Sequence, residues 1–148
     1  MMRYTGLKHQ FITNLPDRLE PAVLYISIEY ATGAHLCCCG CGVEVVTPFT
    51  PTDWKMTFDG ETVSLWPSIG NWNDKCRSHY VIERSRVIPA RPWSDRQIEA
   101  EWQRDRTAKD RYYTVEGETA ARETVRPTAP ITPTPTWWAR VTGWFGQR

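Results

Sequence analysis

The chain has 148 residues, with Lys+Arg 18 against Asp+Glu 17 and a formal net charge of +1. That length accommodates one ordinary domain with a buried core and a tail, and so even a charge balance excludes nucleic acid as an expected partner, because no global field draws it. No charged-then-apolar leader opens the sequence and no apolar run reaches the roughly 18 residues a membrane-crossing helix needs, so a cytoplasmic protein without a membrane span is expected.

Residues 1–21 read as an N-terminal arm of weak patterning, with a turn at Leu15-Pro16-Asp17-Arg18. Residues 22–92 read as a small, mainly β domain. Val23 to Ala31 alternates Leu24, Ile26, Ile28 and Tyr30 on one face with Val23, Tyr25, Ser27 and Glu29 on the other, which predicts a strand broken by Gly33. Val43 to Thr47 predicts a second, stopped at Pro48. Trp54–Phe58 and Glu61–Leu65 flank Asp59-Gly60, a pair that tolerates the positive φ angles of a two-residue hairpin turn. Pro67-Ser68-Ile69-Gly70-Asn71 is a loop by composition. Tyr80–Glu83 and Arg86–Ile88 predict a last pair of short strands, ended by Pro89 and Pro92.

Beyond them the composition changes. Ser94-Asp95-Arg96-Gln97 is a capping box opening a charged helix over 93–113, in which Ile98 and Trp102 are the strong apolar anchors. Residues 114–136, dense in Pro and Thr, predict an extended linker. In 137–148, Trp137, Trp138, Val141, Trp144 and Phe145 fall on one helical stripe that would dock on this domain or on a partner. The whole is expected to be α+β, with the β domain stapled by a metal.

The metal is read from His35-Leu-Cys-Cys-Cys-Gly-Cys-Gly42 and Cys76-Arg-Ser-His79, which together hold all five cysteines and two of the three histidines. Thiolates and imidazoles gathered by a fold make a tetrahedral nest, and zinc is its default occupant. If residues 35–41 are extended, His35, Cys37, Cys39 and Cys41 share a face and Cys38 points away. Gly40 and Gly42 would let the backbone curl around the ion. Cys39, Cys41, Cys76 and His79 are the expected ligands, with Cys37 and then His35 as competitors. Disulfides would need an oxidising compartment and would leave an odd thiol.

These two motifs, with Trp66-Pro-Ser-Ile-Gly-Asn-Trp72 between them, resemble a small bacterial zinc-binding family of unknown function. Its members are encoded beside ubiquitin-like proteins and their activating and conjugating enzymes. The resemblance covers about residues 20–90; Cys38 stands where the pattern has proline. It implies a peptidase or hydrolase that processes or removes a ubiquitin-like protein, with that protein and its enzymes as partners.

The residues leave two classes of function open. In one, three ligands leave zinc a position for water, His35, His79, Glu44 or Asp74 moves the proton, and Ser68 or Asn71 holds the oxyanion. A variant makes Ser68 a nucleophile activated by histidine while the metal is structural; the plain alternative is that Ser68 caps a turn. In the other class nothing reacts, and a closed site staples a module that binds the ubiquitin-like protein or its conjugation enzymes.

Overall fold

The computed structural model describes residues 1–124, with side chains described to residue 117. By contacts the chain forms two units, Met1–Tyr113 and Thr114–Arg148. The described elements are β1 (Lys8–Phe11), β2 (Val23–Ser27), β3 (Thr32–Leu36), β4 (Glu44–Pro48), β5 (Lys55–Phe58), β6 (Val63–Gly70), β7 (His79–Glu83), β8 (Arg86–Pro89) and α1 (Asp95–Thr124). The strands make two sheets in sequential order, β1-β2-β3-β4 and β5-β6-β7-β8. All neighbours are antiparallel except β1 and β2, which are parallel.

One core joins the sheets. Leu24, Ile26 and Val45 from the first meet Val63, Leu65, Ile69, Tyr80 and Ile82 from the second. Alternation decides which residues contribute: along β4, Val45 and Thr47 are buried while Glu44 and Val46 are exposed. Burying such side chains stabilises by roughly 1.5 to 3 kcal/mol each.

The expected arm is woven into this body. The amides of Arg3 and Tyr4 donate to the Cys38 carbonyl at 2.9 and 3.0 Å, and Gly6 bridges to Arg86. The expected strand from Val23 to Ala31 stops at Ser27, because Ser27 Oγ donates to the Thr13 carbonyl at 2.9 Å and accepts from the Tyr30 amide at 3.3 Å. Ala31 turns the chain at φ 45°, and Gly33 lies inside β3, paired with Ile26 and Thr47, instead of breaking the run.

The β5–β6 hairpin closes with a longer loop than Asp59-Gly60 alone, since Phe58 pairs with Val63 across residues 59 to 62. The Asp59 carboxylate accepts from the Glu61 and Thr62 amides at 3.0 and 2.6 Å and from Thr62 Oγ1 at 2.6 Å, while Gly60 takes φ +98°. An aspartate capping its own turn in this way makes the longer loop self-sufficient.

The capping box forms, with the Gln97 amide donating to Ser94 Oγ at 3.4 Å and the Ser94 amide to Gln97 Oε1 at 3.0 Å. Ile98 is buried, and Lys109 ties α1 to Asp53 at 2.8 Å. The helix runs on to Thr124, past the expected end at 113, because residues 114–124 contain Glu, Ala and Arg and no proline before Pro127. The remainder of the expected linker, and the Trp-rich segment 137–148, lie outside the described residues. Among the described residues no helix is long and apolar enough to cross a membrane.

Candidate active site and thiol cluster

The strand β3 ends at Leu36, and the next six residues fold back on themselves. The Cys37 amide donates to the Val43 carbonyl at 2.7 Å and the Gly40 amide to the Cys37 carbonyl at 2.9 Å. Gly40 takes φ +86° with Arg3 packed against it: a Cβ there would lie 2.5 Å from Arg3 Cδ, so only glycine fits this turn. The turn gathers Cys37, Cys39 and Cys41, and Cys76 completes a group whose sulfurs all lie within 4.8 Å of one another.

Four sulfurs so close can hold one metal ion. A tetrahedron with metal–sulfur bonds of about 2.3 Å has edges of about 3.8 Å, and Cys37 Sγ lies 3.4 Å from Cys39 Sγ and 4.0 Å from Cys76 Sγ. All five cysteines are free thiols. Desolvation pushes Cys39 well above the ordinary thiol range, and hydrogen bonding with Cys41 and Cys37 adds to it. Desolvation also pushes Cys76 upward, but hydrogen bonding with the side chain and backbone of Ser78 and with Cys41 and Cys39 overcomes it and brings the thiol down to about 7. The first thiolate is thus favoured by its neighbours and the next is resisted, so a cation is what lets all four ionise together.

Cys38 stands apart, fully buried in the core, with its thiol pushed up to about 12 by desolvation. Its sulfur is not among the four that gather, and since β3 ends at Leu36 the alternation expected over residues 35–41 does not apply to it.

Ser68 and His79 meet on the second sheet. β6 pairs with β7 at Leu65↔Ile82 and again at Ile69↔Tyr80, so residues 66 to 68 stand against Val81 alone. The extra residues bulge outward and re-aim Ser68, which is a familiar use of bulges beside active sites. Gly70 then pairs with His79, the first residue of β7. Ser68 Oγ lies 2.9 Å from His79 Nε2, and His79 Nδ1 lies 2.6 Å from the Arg91 carbonyl oxygen. A carbonyl only accepts, so Nδ1 carries the proton and the Nε2 lone pair faces the serine hydroxyl.

Two tryptophans, stacked on each other, pack beside the imidazole. The ring centroids of Trp72 and Trp93 lie 4.8 and 5.1 Å from that of His79, and the two indoles stack at 5.5 Å. Trp72 reaches this position over Gly70, where any Cβ would lie 2.3 Å from the indole. Ser68, His79, Trp72 and Trp93 line a cleft of about 440 Å³ that Trp102 and Asp105 of α1 border. A second depression of about 570 Å³ shares Trp54 and Asp53 with it and is lined by Ile28, Phe49 and Trp66.

The other expected site residues go elsewhere. His79, expected among the metal ligands, is turned away from the sulfurs because Arg77, at φ 43°, reverses the chain between Cys76 and the start of β7. His35 lies inside β3, fully buried, with Nε2 2.9 Å from the Tyr80 hydroxyl; desolvation lowers its pKa to about 4. Asn71, expected as an oxyanion donor, spends its amide on Ser78 Oγ at 2.8 Å and Cys37 Sγ at 3.3 Å. Glu44 is exposed at the start of β4, and the Asp74 amide and carbonyl close the turn before Arg77. Sequence reasoning missed Trp72, Trp93, Ser78 and the Arg91 carbonyl. For Trp72 the available signal is its place at the end of the Trp66-Pro-Ser-Ile-Gly-Asn-Trp72 motif, and for Trp93 only the abundance of the type, 8 tryptophans in the chain.

Comparison with protein-family models matches residues 11–90 to a family described as "Bacterial ubiquitination-like system serine protease (BubE)". No curated protein and no solved structure matches the chain.

Proposed function

The chain belongs to the BubE family of bacterial ubiquitination-like systems, whose model spans more than half of it, and on that premise we propose a serine hydrolase that cleaves at the carboxyl end of a ubiquitin-like protein. Ser68 is the nucleophile and His79 its general base. The observation that carries this reading is the 2.9 Å contact between Ser68 Oγ and His79 Nε2, with Nδ1 held by a backbone carbonyl.

The chemistry follows from that geometry. As Ser68 Oγ bonds to the scissile carbonyl carbon, its proton passes to His79 Nε2 and negative charge gathers on the carbonyl oxygen. The imidazolium formed is held by the Arg91 carbonyl at Nδ1, with the Trp72 and Trp93 rings packed against it within the range of about 6 Å over which an indole attracts a cation. His79 then gives the proton to the departing amine or alcohol as its bond to carbon breaks, leaving an acyl group on Ser68. Water attacks that ester, His79 takes its proton, and the proton returns to Ser68 Oγ as the acid leaves. The two stacked indoles beside the imidazole keep bulk water off that side of it.

Zinc in the thiol cluster fits this scheme as a staple. Cys37, Cys39, Cys41 and Cys76 would hold it, and four thiolates fill a tetrahedron, so its contribution there would be to fix the two loops that carry the thiols. This favours the reading in which the metal is structural and Ser68 reacts over metal-bound hydroxide. The partner is the ubiquitin-like protein whose tail enters the cleft.

Cleavage of a ubiquitin-like protein fused at its carboxyl end to a reporter tests the proposal. Ser68→Ala should fold and keep its metal while losing about a hundredfold or more in rate, and a fluorophosphonate should label the native chain at Ser68 alone. A folded Ser68→Ala chain that cleaves at the native rate would refute it. So would a native chain that binds the ubiquitin-like protein but neither cleaves it nor takes the label, the behaviour of a non-catalytic zinc module.

A further inference from the structure

Ser78 separates the two sites by a single side chain. It is buried, it directly precedes His79, and its Oγ lies 3.0 Å from Cys37 Sγ and 3.5 Å from Cys76 Sγ. Asn71 Nδ2 donates to Ser78 Oγ at 2.8 Å and to Cys37 Sγ at 3.3 Å. Because the hydroxyl accepts from Asn71, its own proton is free for a sulfur, and Cys37 is the nearer. One sulfur therefore receives two donors, the kind of outer support that orients a metal ligand.

The backbone repeats the link. The Asn71 amide donates to the Ser78 carbonyl at 2.9 Å, which ties the two ends of the segment 71–78 together, and inside it the Asp74 amide donates to Asn71 and the Arg77 amide to Asp74. Arg77 holds a positive φ without being glycine, so the loop stores strain that its neighbours must restrain. Just outside the closed ends, Gly70 pairs with His79, and Ser68 stands two residues before Gly70.

From this wiring we propose that Asn71 and Ser78 are positioning residues that carry the geometry of the metal-loaded thiol cluster to His79. An ion in the cluster thereby sets the hydrolase on or off without touching substrate. With four sulfurs bound to one ion, Cys37 and Cys76 are fixed, Ser78 is fixed against them, and the next residue presents its imidazole Nε2 to Ser68. Without the ion only the turn at residues 37–43 and weak thiol contacts hold the sulfurs together, so Ser78 loses its fixed seat and the 71–78 loop relaxes. The strands carrying Tyr80, Ile82, Leu65 and Val63 keep their own core contacts, so the sheets persist while the Ser68–His79 pair is lost. The inference rests on the proposed roles of Ser68 and His79, and its test reads the imidazole itself.

The experiment uses the full chain loaded with cobalt, whose sulfur-to-metal absorption reports the four thiolates. Long-range nitrogen NMR of the histidine rings, only 3 in the chain, reports the Nε2 hydrogen bond. In Ser78→Ala the tetrahedral cobalt bands should remain with a shifted charge-transfer energy, and the His79 nitrogen signals should move. Fluorophosphonate labelling and kcat should fall about ten- to a hundredfold, the usual scale for groups that orient a metal's ligands, with KM unchanged. Ser78→Thr, which keeps the hydroxyl, should restore both the signals and the rate. Chelation of the native chain should move the same His79 signals before the melting transition of the sheets. The proposal is overturned if folded Ser78→Ala keeps native His79 signals and labelling. It is equally overturned if chelation leaves the imidazole signals in place, a result that decides the matter even if Ser78→Ala fails to fold. Should Ser68→Ala retain cleavage, the hydrolase reading falls, whereas the imidazole signals still judge the clamp.

Discussion

Gly70→Ala tests whether the indole seated on β6 holds the imidazole in place. The new Cβ would lie 2.3 Å from Trp72 Cε2 and Nε1 and 2.5 Å from Cζ2. Comfortable carbon contacts begin near about 3.5 Å, so the ring must retreat by roughly 1 Å. It cannot do so freely, because Trp72 is stacked on Trp93 at 5.5 Å and tilted against His79 at 4.8 Å. Overpacking of this kind costs about 1 to 3 kcal/mol, which for a unit of this size lowers the melting temperature by roughly 5 to 15 °C. Because the displaced ring bears on His79, fluorophosphonate labelling of the folded protein should drop as well. Chemical denaturation followed by tryptophan emission measures the first effect, and the labelling rate well below the melting transition measures the second. Trp72→Ala in the same chain removes the clash, so the double variant should be no less stable than Trp72→Ala alone, a non-additivity that identifies the contact. A Gly70→Ala chain with native melting and native labelling would show that Trp72 is not wedged as described, and the flanking role of the indoles would fail with it.

Cys38→Ala should lower stability by about 1 kcal/mol through a small loss of core packing while leaving one metal per chain, whereas Cys76→Ala should abolish stoichiometric metal; elemental analysis beside thermal melting separates the two. Asp59 predicts an acid limb of stability: hydrogen bonds from Thr62 and Glu61 hold its pKa down at about 2. Its contribution is therefore complete above the unfolded carboxylate value near about 4 and is lost as pH falls through 2. Melting curves of Asp59→Asn should lie below the native ones at pH 6 and converge with them at the acid end, and a difference that grows toward low pH would contradict the hairpin-cap role.

The thiol cluster was legible because thiols are few and these are crowded, a signal that needs no tertiary knowledge. What spacing could not tell was that His79 leaves the cluster. A ligand set drawn from Cys76 and His79 assumes a continuous helical or extended turn, and the reversal at Arg77 is a backbone angle that no residue type at that position announces. Ser68 was placed in a loop on the composition of Pro67, Ser68, Gly70 and Asn71, which is turn-like. The structure keeps residues 67–70 in β6 because the bulge absorbs Pro67 and because Gly70 is there for Trp72 and not for a turn. β1 escaped notice since it is short and exposed and pairs in parallel with β2, a non-local contact that leaves no period in the sequence. The hairpin and the capping box, being local, both formed, although the hairpin closes over residues 59–62 and not over Asp59-Gly60 alone.

In the proposed hydrolase the Arg91 carbonyl stands where a serine triad has its carboxylate. In a serine triad the acid fixes the tautomer and orients the imidazole. Here both tasks fall to the edge of a sheet: Tyr80 pairs with Pro89, the Ala90 amide donates to the His79 carbonyl at 2.9 Å, and the chain is thereby drawn back until the Arg91 oxygen meets Nδ1. A main-chain oxygen cannot titrate or swing away, but it brings no full negative charge to balance the imidazolium. In the proposed reaction the adjacent Trp72 and Trp93 rings would offset part of that deficit. Orientation must then come from rigidity, and β7 has rigidity on two sides, from the β8 ladder after His79 and from the Ser78 contact with the thiol cluster before it. The same residue is gripped at both neighbours, and in the proposed hydrolase that grip is how a cluster of sulfurs with no path to the substrate would bear on the chemistry of the cleft.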